Sequence, residues 1–166
     1  MTAQPEIIWQ RAADRELFAR YGLTSLDEFM AFPGGTRILL LKNMAELARK
    51  LHGSGMNHQD FYLNHFFLGT DGTLSLLDLQ RVQRRARTPR RSIIKDLAQL
   101  NYSTQVYGGF SKIDRLRFLR EYAGGGRLGA EGKRLVRDIQ AKTERIAHHD
   151  RKLLVRRRQR GELPPA

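Results

Sequence analysis

The 166-residue chain contains no cysteine, a single tryptophan and no long apolar run. Without cysteine it can form neither a disulfide framework nor a thiolate metal site. No apolar stretch approaches the roughly 18 residues that a membrane-spanning helix needs. The first residues, Met1-Thr-Ala-Gln-Pro-Glu, lack the basic and apolar regions of a signal peptide. These absences predict a cytoplasmic protein that at most touches a membrane surface.

Positive charge is concentrated in the second half of the chain. Residues 1–36 carry three basic and five acidic side chains, residues 37–80 carry four of each, and residues 81–166 carry 23 basic and eight acidic ones. Such an excess indicates a surface that faces nucleic acid, acidic phospholipid or a phosphorylated substrate, or else a solvated arginine-rich face. Aromatic residues are scarce in this half, so nucleic acid is the least expected of these partners.

The first 36 residues are predicted to form a leader of two short helices. Apolar residues recur at helical spacing within residues 5–21. Thr24 or Ser25 is placed to cap a second helix over residues 26–32, and the following Pro33-Gly34-Gly35 would end it.

The next segment predicts a helix, a loop and a hairpin. Residues 37–52 place their apolar side chains on one helical face. Residues 56–65 are expected to form a loop, and residues 66–68 and 74–77 to form two short strands. A Gly-Thr-Asp-Gly turn at 69–72 joins these strands, because glycine accepts a positive φ.

Three further helices complete the predicted fold, which is mainly α with a small β-hairpin (α+β). They cover residues 92–107, 111–122 and 130–161, and Ser111 with Asp114 resembles a capping box at the start of the second. The predicted organisation is a leader at 1–36, a lobe at 37–126, and a basic C-terminal helix and tail at 127–166.

Two aspartates flank the predicted hairpin. Asp60 precedes the first strand and Asp78 follows the second, 78 − 60 = 18 positions later. Because the outer ends of an antiparallel hairpin lie together, the two carboxylates should converge. Such a pair can perform general acid–base chemistry, bind Mg²⁺, or do one of each. Two surface turn aspartates are the alternative, but it leaves His58 and His65 in the same loop unexplained.

Three motifs in order resemble a known family. The loop reads Gly55-Met-Asn-His-Gln-Asp-Phe-Tyr-Leu-Asn-His65, and Leu77-Asp-Leu-Gln-Arg-Val-Gln83 and Pro89-Arg-Arg-Ser-Ile-Ile-Lys-Asp-Leu-Ala98 follow it. Across residues 38–103 this combination is similar to the Kdo/WaaP lipopolysaccharide kinase family of the protein-kinase-like superfamily. The resemblance implies the C-terminal lobe of a protein-kinase-like fold. It also implies ATP-dependent phosphorylation of a heptose or Kdo sugar in the lipopolysaccharide inner core.

The resemblance also implies roles for single residues. Asp60 matches the catalytic aspartate that orients the acceptor hydroxyl and accepts its proton. His58 is a candidate catalytic residue of the same loop, although packing that fixes the loop is the more expected role. Asp78 and His65 match the residues that hold Mg²⁺ against the phosphates of ATP. Candidate substrate-binding residues for an anionic glycolipid are the arginines that follow Asp78, namely Arg81, Arg84 and Arg85.

The family's nucleotide-binding N-lobe has no recognisable counterpart in the 36 residues before the helix at 37–52. A shortened gene, a pseudokinase, or a partner that supplies the N-lobe would each account for this. The expected location is the cytoplasm, including the cytoplasmic face of the inner membrane, with the lipopolysaccharide core as partner. The alternative function is a non-catalytic basic module that binds an anionic membrane surface or nucleic acid.

Overall fold

The computed structural model describes residues 23–25, 34–106 and 110–162, and within them the chain forms four α-helices, two short 3₁₀ helices and five short strands. The helices are α1 (Gly34–Gly53), α2 (Arg90–Val106), α3 (Lys112–Tyr122) and α4 (Ala130–Gln159). The strands are β1 (Leu23–Ser25), β2 (Met56–Asn57), β3 (Phe66–Gly69), β4 (Leu74–Leu76) and β5 (Gln83–Arg84). This confirms the predicted α+β class. The helices expected at 5–21 and 26–32 lie outside the described residues.

Helix α1 forms the centre of the core. Its predicted apolar face is confirmed, since Leu40, Met44 and Ala48 are buried, and Glu46 pairs with Lys50 at 2.9 Å on the outer side. The helix begins earlier than predicted. Residues 34 and 35 are its first residues rather than a break before it. Apolar side chains from α2, α3, α4 and the loop after β2 complete the core, including Phe61, Leu63, Phe66, Leu97, Phe118 and Ile139.

The predicted hairpin is present and belongs to a three-stranded antiparallel sheet. β3 pairs with β4, and Phe66 lies opposite Leu76. On its other edge β3 pairs with β1, and Thr24 lies opposite Leu68. Thr24 and Ser25 are therefore strand residues, and the helix over residues 26–32 that one of them was predicted to cap lies outside the described residues.

A second, two-stranded sheet lies where a plain loop was expected. β2 pairs antiparallel with β5, so Asn57 lies opposite Gln83. Gly55 makes the approach possible, since its φ is +83° and a Cβ there would lie 2.0 Å from the carbonyl oxygen of Arg85. Only glycine adopts this conformation and leaves that space without strain. The pairing brings together the two ends of the segment that carries Asp60 and Asp78.

The last three helices agree with the sequence prediction. Ser111 and Asp114 form a reciprocal capping box at the start of α3. Helix α4 packs along α2 through its first five turns, where Ile139 and Thr143 are buried. From residue 151 to residue 162 every described side chain is exposed. In the described ranges we find no helix with the length and apolar character that crossing a bilayer requires.

Candidate active site

The loop that carries Asp60 is held from beneath by the buried carboxylate of Asp96 on α2. Asp96 accepts the backbone N–H groups of His58 at 2.6 Å and Gln59 at 3.0 Å. Its Oδ2 also lies 3.3 Å from His52 Nε2, which donates to it. The other ring nitrogen of His52 then accepts from the Tyr122 hydroxyl at 2.9 Å. Burial raises the pKa of Tyr122 to about 12, so this hydroxyl remains a donor.

Two more polar side chains of α2 continue this support along the loop. Gln99 accepts the N–H of Phe61 at 3.1 Å and donates to the carbonyl of Gln59 at 2.7 Å. Ser103 accepts the N–H of Leu63 at 2.9 Å. Gln59 has a φ of +73°, a conformation that costs a non-glycine residue on the order of 1 kcal/mol, and these hydrogen bonds stabilise it. Helix α2 therefore sets the backbone on both sides of Asp60.

His58 is fully buried and joins the loop to the hairpin. Its Nε2 donates to the carbonyl of Leu77 at 3.0 Å, and its Nδ1 is buried without a hydrogen-bond partner among the described residues. Burial lowers the pKa of His58, and the nearby ring of His65 lowers it further. The hydrogen bond to the Leu77 carbonyl raises the pKa but does not outweigh burial. A neutral, enclosed imidazole of this kind fixes the residue before Asp78 and does not reach solvent.

His65 lies between the two aspartates. Its Nδ1 is 2.7 Å from the backbone oxygen of Asp60. A carbonyl can only accept, so Nδ1 carries a proton, and in the neutral form of the ring the lone pair is on Nε2. Nε2 faces the Asp78 carboxylate at 3.8 Å. His65 therefore contacts the backbone of Asp60 and faces the carboxylate of Asp78, whereas the convergence of the two carboxylates themselves stays a prediction.

Asp78 occupies an unusual backbone conformation at the end of the hairpin. Its φ of 58° and ψ of 57° are left-handed, and the residue before it is held on both sides. The N–H of Leu77 donates to the His65 carbonyl at 2.9 Å, and the carbonyl of Leu77 accepts from His58. The Asp78 side chain is 45% exposed, so its carboxylate is accessible to a ligand. Strained residues of this kind are concentrated at functional sites.

Asp60 is engaged by Arg81, a contact that the sequence did not predict. One guanidinium nitrogen, Nη1, lies 3.0 Å from Oδ1 and 2.9 Å from Oδ2 of the carboxylate. Arg81 is 62% exposed and Asp60 is 23% exposed. The other two candidate arginines lie further along. Arg84 is exposed in β5, and Arg85 donates to Asn57.

The residues that face the space beside Asp78 suit a magnesium ion that also binds phosphate. Within the described ranges no three His, Cys, Asp or Glu side chains come close enough to form a metal cage. Mg²⁺ does not require one, because it is commonly held by one or two protein carboxylates and the substrate phosphates. Asp78 offers a carboxylate, and His65 offers an unprotonated nitrogen whose orientation is set by its hydrogen bond to Asp60.

The supporting residues of α2 were only partly recognised from the sequence. Asp96 belongs to the third motif of the resemblance and anchors the loop, whereas the support from Gln99 and Ser103 was not predicted. Their signal is present, since residues 96, 99 and 103 repeat at helical spacing and place three polar side chains on one face of α2. Lys95, adjacent to Asp96, is only half-buried.

A helical lobe, a loop held by a buried aspartate, and a hairpin that ends in a second aspartate together define the C-terminal lobe of a protein-kinase-like fold. Residues 21–122 match the model of the lipopolysaccharide kinase (Kdo/WaaP) family. The chain therefore belongs to the lipopolysaccharide kinase (Kdo/WaaP) family.

Individual relatives agree with this membership. The chain is 41% identical over 90 residues, half of its own length, to the lipopolysaccharide core heptose(I) kinase WaaP of Pseudomonas aeruginosa PAO1. It is 38% identical over 93 residues, or 52% of its length, to the enzyme of the same name from Escherichia coli K12. These matches cover 33% and 35% of the relatives, so the chain spans about a third of their length.

A solved structure matches the fold over a longer range. It is WaaP in complex with acyl carrier protein, with a TM-score of 0.63 and 32% sequence identity. The match covers 76% of this chain and 57% of that one. The likeness thus extends over most of this chain.

Proposed function

We propose that this chain provides the acceptor and metal side of an ATP-dependent kinase that phosphorylates a sugar, heptose or Kdo, of the lipopolysaccharide inner core. The observation that carries the proposal is the position of His65 between Asp60 and Asp78. These residues lie within the segment that matches the family. Relatives that share this segment are named heptose(I) kinases.

The role of Asp60 follows from the demands of phosphoryl transfer. The reaction needs little covalent help from the protein, so catalysis depends on positioning the nucleophile and stabilising charge. Asp60 orients the sugar hydroxyl and accepts its proton as the oxygen attacks phosphorus. His58 acts as a positioning residue, because it is buried and bonded to the backbone of Leu77.

Asp78 and His65 hold the metal in this proposal. Asp78 contributes an accessible carboxylate and His65 its unprotonated Nε2. Mg²⁺, when bound with ATP, neutralises charge on the transferring phosphoryl group. The left-handed backbone at Asp78 directs the carboxylate outward, and the two hydrogen bonds of Leu77 keep it there.

Arg81 gives the site a preference for anionic acceptors. Its guanidinium binds both oxygens of Asp60 and so competes with an acceptor hydroxyl for the carboxylate. A phosphate or carboxylate on the acceptor competes for Arg81 and releases Asp60, since an exposed ion pair exchanges partners at little cost. Arg84, exposed nearby in β5, adds a second cation for the same acidic glycolipid.

Location and partners follow from the proposed substrate. The site would work in the cytoplasm at the inner-membrane face, where an acidic glycolipid acceptor is exposed. The complex of WaaP with acyl carrier protein adds a partner that the sequence did not suggest. We include acyl carrier protein among the proposed partners of this chain because the fold match covers 76% of it.

Calorimetric titration with ATP and Mg²⁺ tests the metal and nucleotide part of the proposal. Asp78→Asn should weaken binding at least tenfold, since the metal loses the negative charge of a carboxylate ligand. Asp71→Asn is the matched control, because Asp71 is an exposed turn residue of the same hairpin whose side chain bonds to Thr73. The absence of ATP binding by the unaltered chain, or an equal loss in both variants, would refute this part of the proposal.

A further inference from the structure

The end of α4 extends past the body of the protein. Ile139, Ile146 and Leu153 are seven positions apart and therefore lie on one helical face. Along this face burial decreases steadily: Ile139 is 1% exposed, Ile146 is half-buried, and Leu153 is 42% exposed. The helix thus continues for two more turns after the surface that it packs against has ended. We name residues 151–160 the basic overhang.

The last contact between α4 and the body lies beside the candidate active site. Asp150 accepts a short hydrogen bond from the Tyr102 hydroxyl. Gln99, one turn before Tyr102 on α2, donates to the Tyr62 hydroxyl at 3.3 Å and to the carbonyl of Gln59 at 2.7 Å. Tyr62 is two positions after Asp60. The basic overhang therefore leaves the body at the end where the catalytic loop lies.

The basic overhang combines cations with exposed apolar side chains. It carries six basic residues and no acidic one, and the acidic Glu162 that follows pairs only with Arg157 and Arg160. Within the same turns Leu153, Leu154 and Val155 are 42%, 38% and 51% exposed. Four cations have no ion-pair partner in the described part of the chain: Arg151, Lys152, Arg156 and Arg158.

We propose that the basic overhang is a docking surface for an anionic lipid bilayer and that it holds the catalytic-loop end of the protein against the leaflet. Its cations match anionic headgroups, while its apolar side chains reach the boundary between headgroups and acyl chains. A nucleic-acid surface would use the cations and stacking aromatics, and residues 151–160 contain no aromatic residue. The orientation toward a glycolipid acceptor rests on the proposed function, whereas the lipid contact does not.

Flotation of the full chain with lipid vesicles, in the absence of nucleotide, tests this proposal. The chain should bind equimolar phosphatidylcholine–phosphatidylglycerol vesicles and not pure phosphatidylcholine vesicles. Combined replacement of Arg151, Arg156 and Arg158 by Ala should weaken binding by about a hundredfold, as expected for three cations at an anionic surface. The matched control replaces three exposed cations earlier in α4, namely Lys133, Arg134 and Arg137, and should change binding less than about threefold.

A second variant separates lipid from other polyanions. Leu153→Ser with Leu154→Ser keeps every charge, so it should weaken vesicle binding at least tenfold and leave duplex DNA binding unchanged. Circular dichroism should show an unaltered melting temperature, because both leucines are substantially exposed. Unchanged vesicle binding in this variant, an equal loss in the Lys133, Arg134 and Arg137 control, or tighter binding to duplex DNA than to vesicles would each overturn the proposal. Because the flotation assay contains no nucleotide, a lack of vesicle binding can be distinguished from a lack of ATP binding.

Discussion

At the scale of single residues, the backbone around Asp60 depends on the buried carboxylate of Asp96. Two loop N–H groups and the His52 ring donate to it. Replacing a buried carboxylate that accepts three hydrogen bonds is costly, because each donor that loses its partner stays buried and unsatisfied. The neighbouring histidine–tyrosine contact extends this network to α3.

Asp96→Asn should therefore destabilise the protein by about 3 kcal/mol, since the amide presents an NH₂ group to at least one buried donor. Asp138→Asn is the matched control, because Asp138 makes an exposed ion pair with Arg90 at 2.8 Å. Loss of that pair should cost about 0.5 kcal/mol or less. Urea unfolding measures both values. Equal losses in the two variants would show that Asp96 is not the anchor of the loop.

Substitutions at His65 test whether its Nε2 binds the metal. His65→Asn keeps a possible oxygen ligand for a hard cation, whereas His65→Leu keeps none. Mn²⁺, used as a paramagnetic stand-in for Mg²⁺, should broaden the NMR signals of residues near Asp78 in the unaltered chain and in His65→Asn. In His65→Leu the apparent Mn²⁺ affinity should fall about tenfold or more. An affinity that does not change in His65→Leu would remove His65 from the metal site.

At the scale of elements, the β2–β5 pair closes the site. It joins the residues just before the catalytic loop to those just after Asp78. The N–H of Arg85 donates to the Gly55 carbonyl at 2.9 Å and extends the pairing by one residue. This close approach is the reason why Gly55 cannot carry a side chain.

Gly55→Ala should cost about 3 kcal/mol or more, through left-handed strain and a clash with the Arg85 carbonyl. The control is Gly53→Ala, two positions earlier, where a Cβ would meet no atom within 4 Å. This control should be neutral or stabilising by up to about 1 kcal/mol. Thermal unfolding distinguishes the two variants. A Gly55→Ala protein as stable as Gly53→Ala would contradict the described approach of the two strands.

The elements that the sequence predicts well are those with local signals. Hydrophobic periodicity predicts the ends of the four α-helices to within about three residues. The predicted Ser111–Asp114 capping box and the glycine turn of the hairpin are both present. The β2–β5 and β1–β3 pairs were not predicted, because each joins two or three residues across a long separation without a pattern of their own. For the same reason the Asp60–Arg81 contact could not be predicted, since it depends on how the chain turns after Asp78.

At the scale of the whole molecule, α4 has two parts with different roles. Its first part packs on α2 through Ile139 and Thr143, and Arg90 and Tyr102 bond to its Asp138 and Asp150. Every described side chain of its last two turns is exposed. The same helix therefore stabilises the fold at one end and presents a basic surface at the other.

Substitutions along one face of α4 test this division. Ile139→Ala should destabilise the protein by about 3 kcal/mol, because a buried side chain is removed from the core. Leu153→Ala, fourteen positions later on the same face, should cost about 0.5 kcal/mol or less. Chemical denaturation measures both. A loss of more than about 1 kcal/mol for Leu153→Ala would mean that the basic overhang packs against the body.

The most direct test of the proposed site is transfer of labelled γ-phosphate from ATP to a heptose-containing core oligosaccharide in the presence of Mg²⁺. We expect the unaltered chain to phosphorylate the sugar and Asp60→Asn to lower the rate at least about a hundredfold, since the group that accepts the proton is lost. ATP binding, measured in parallel, should be unchanged in Asp60→Asn. No transfer by the unaltered chain, or an Asp60→Asn variant that keeps the full rate, would contradict the assignment of Asp60, His65 and Asp78 to a sugar-kinase site.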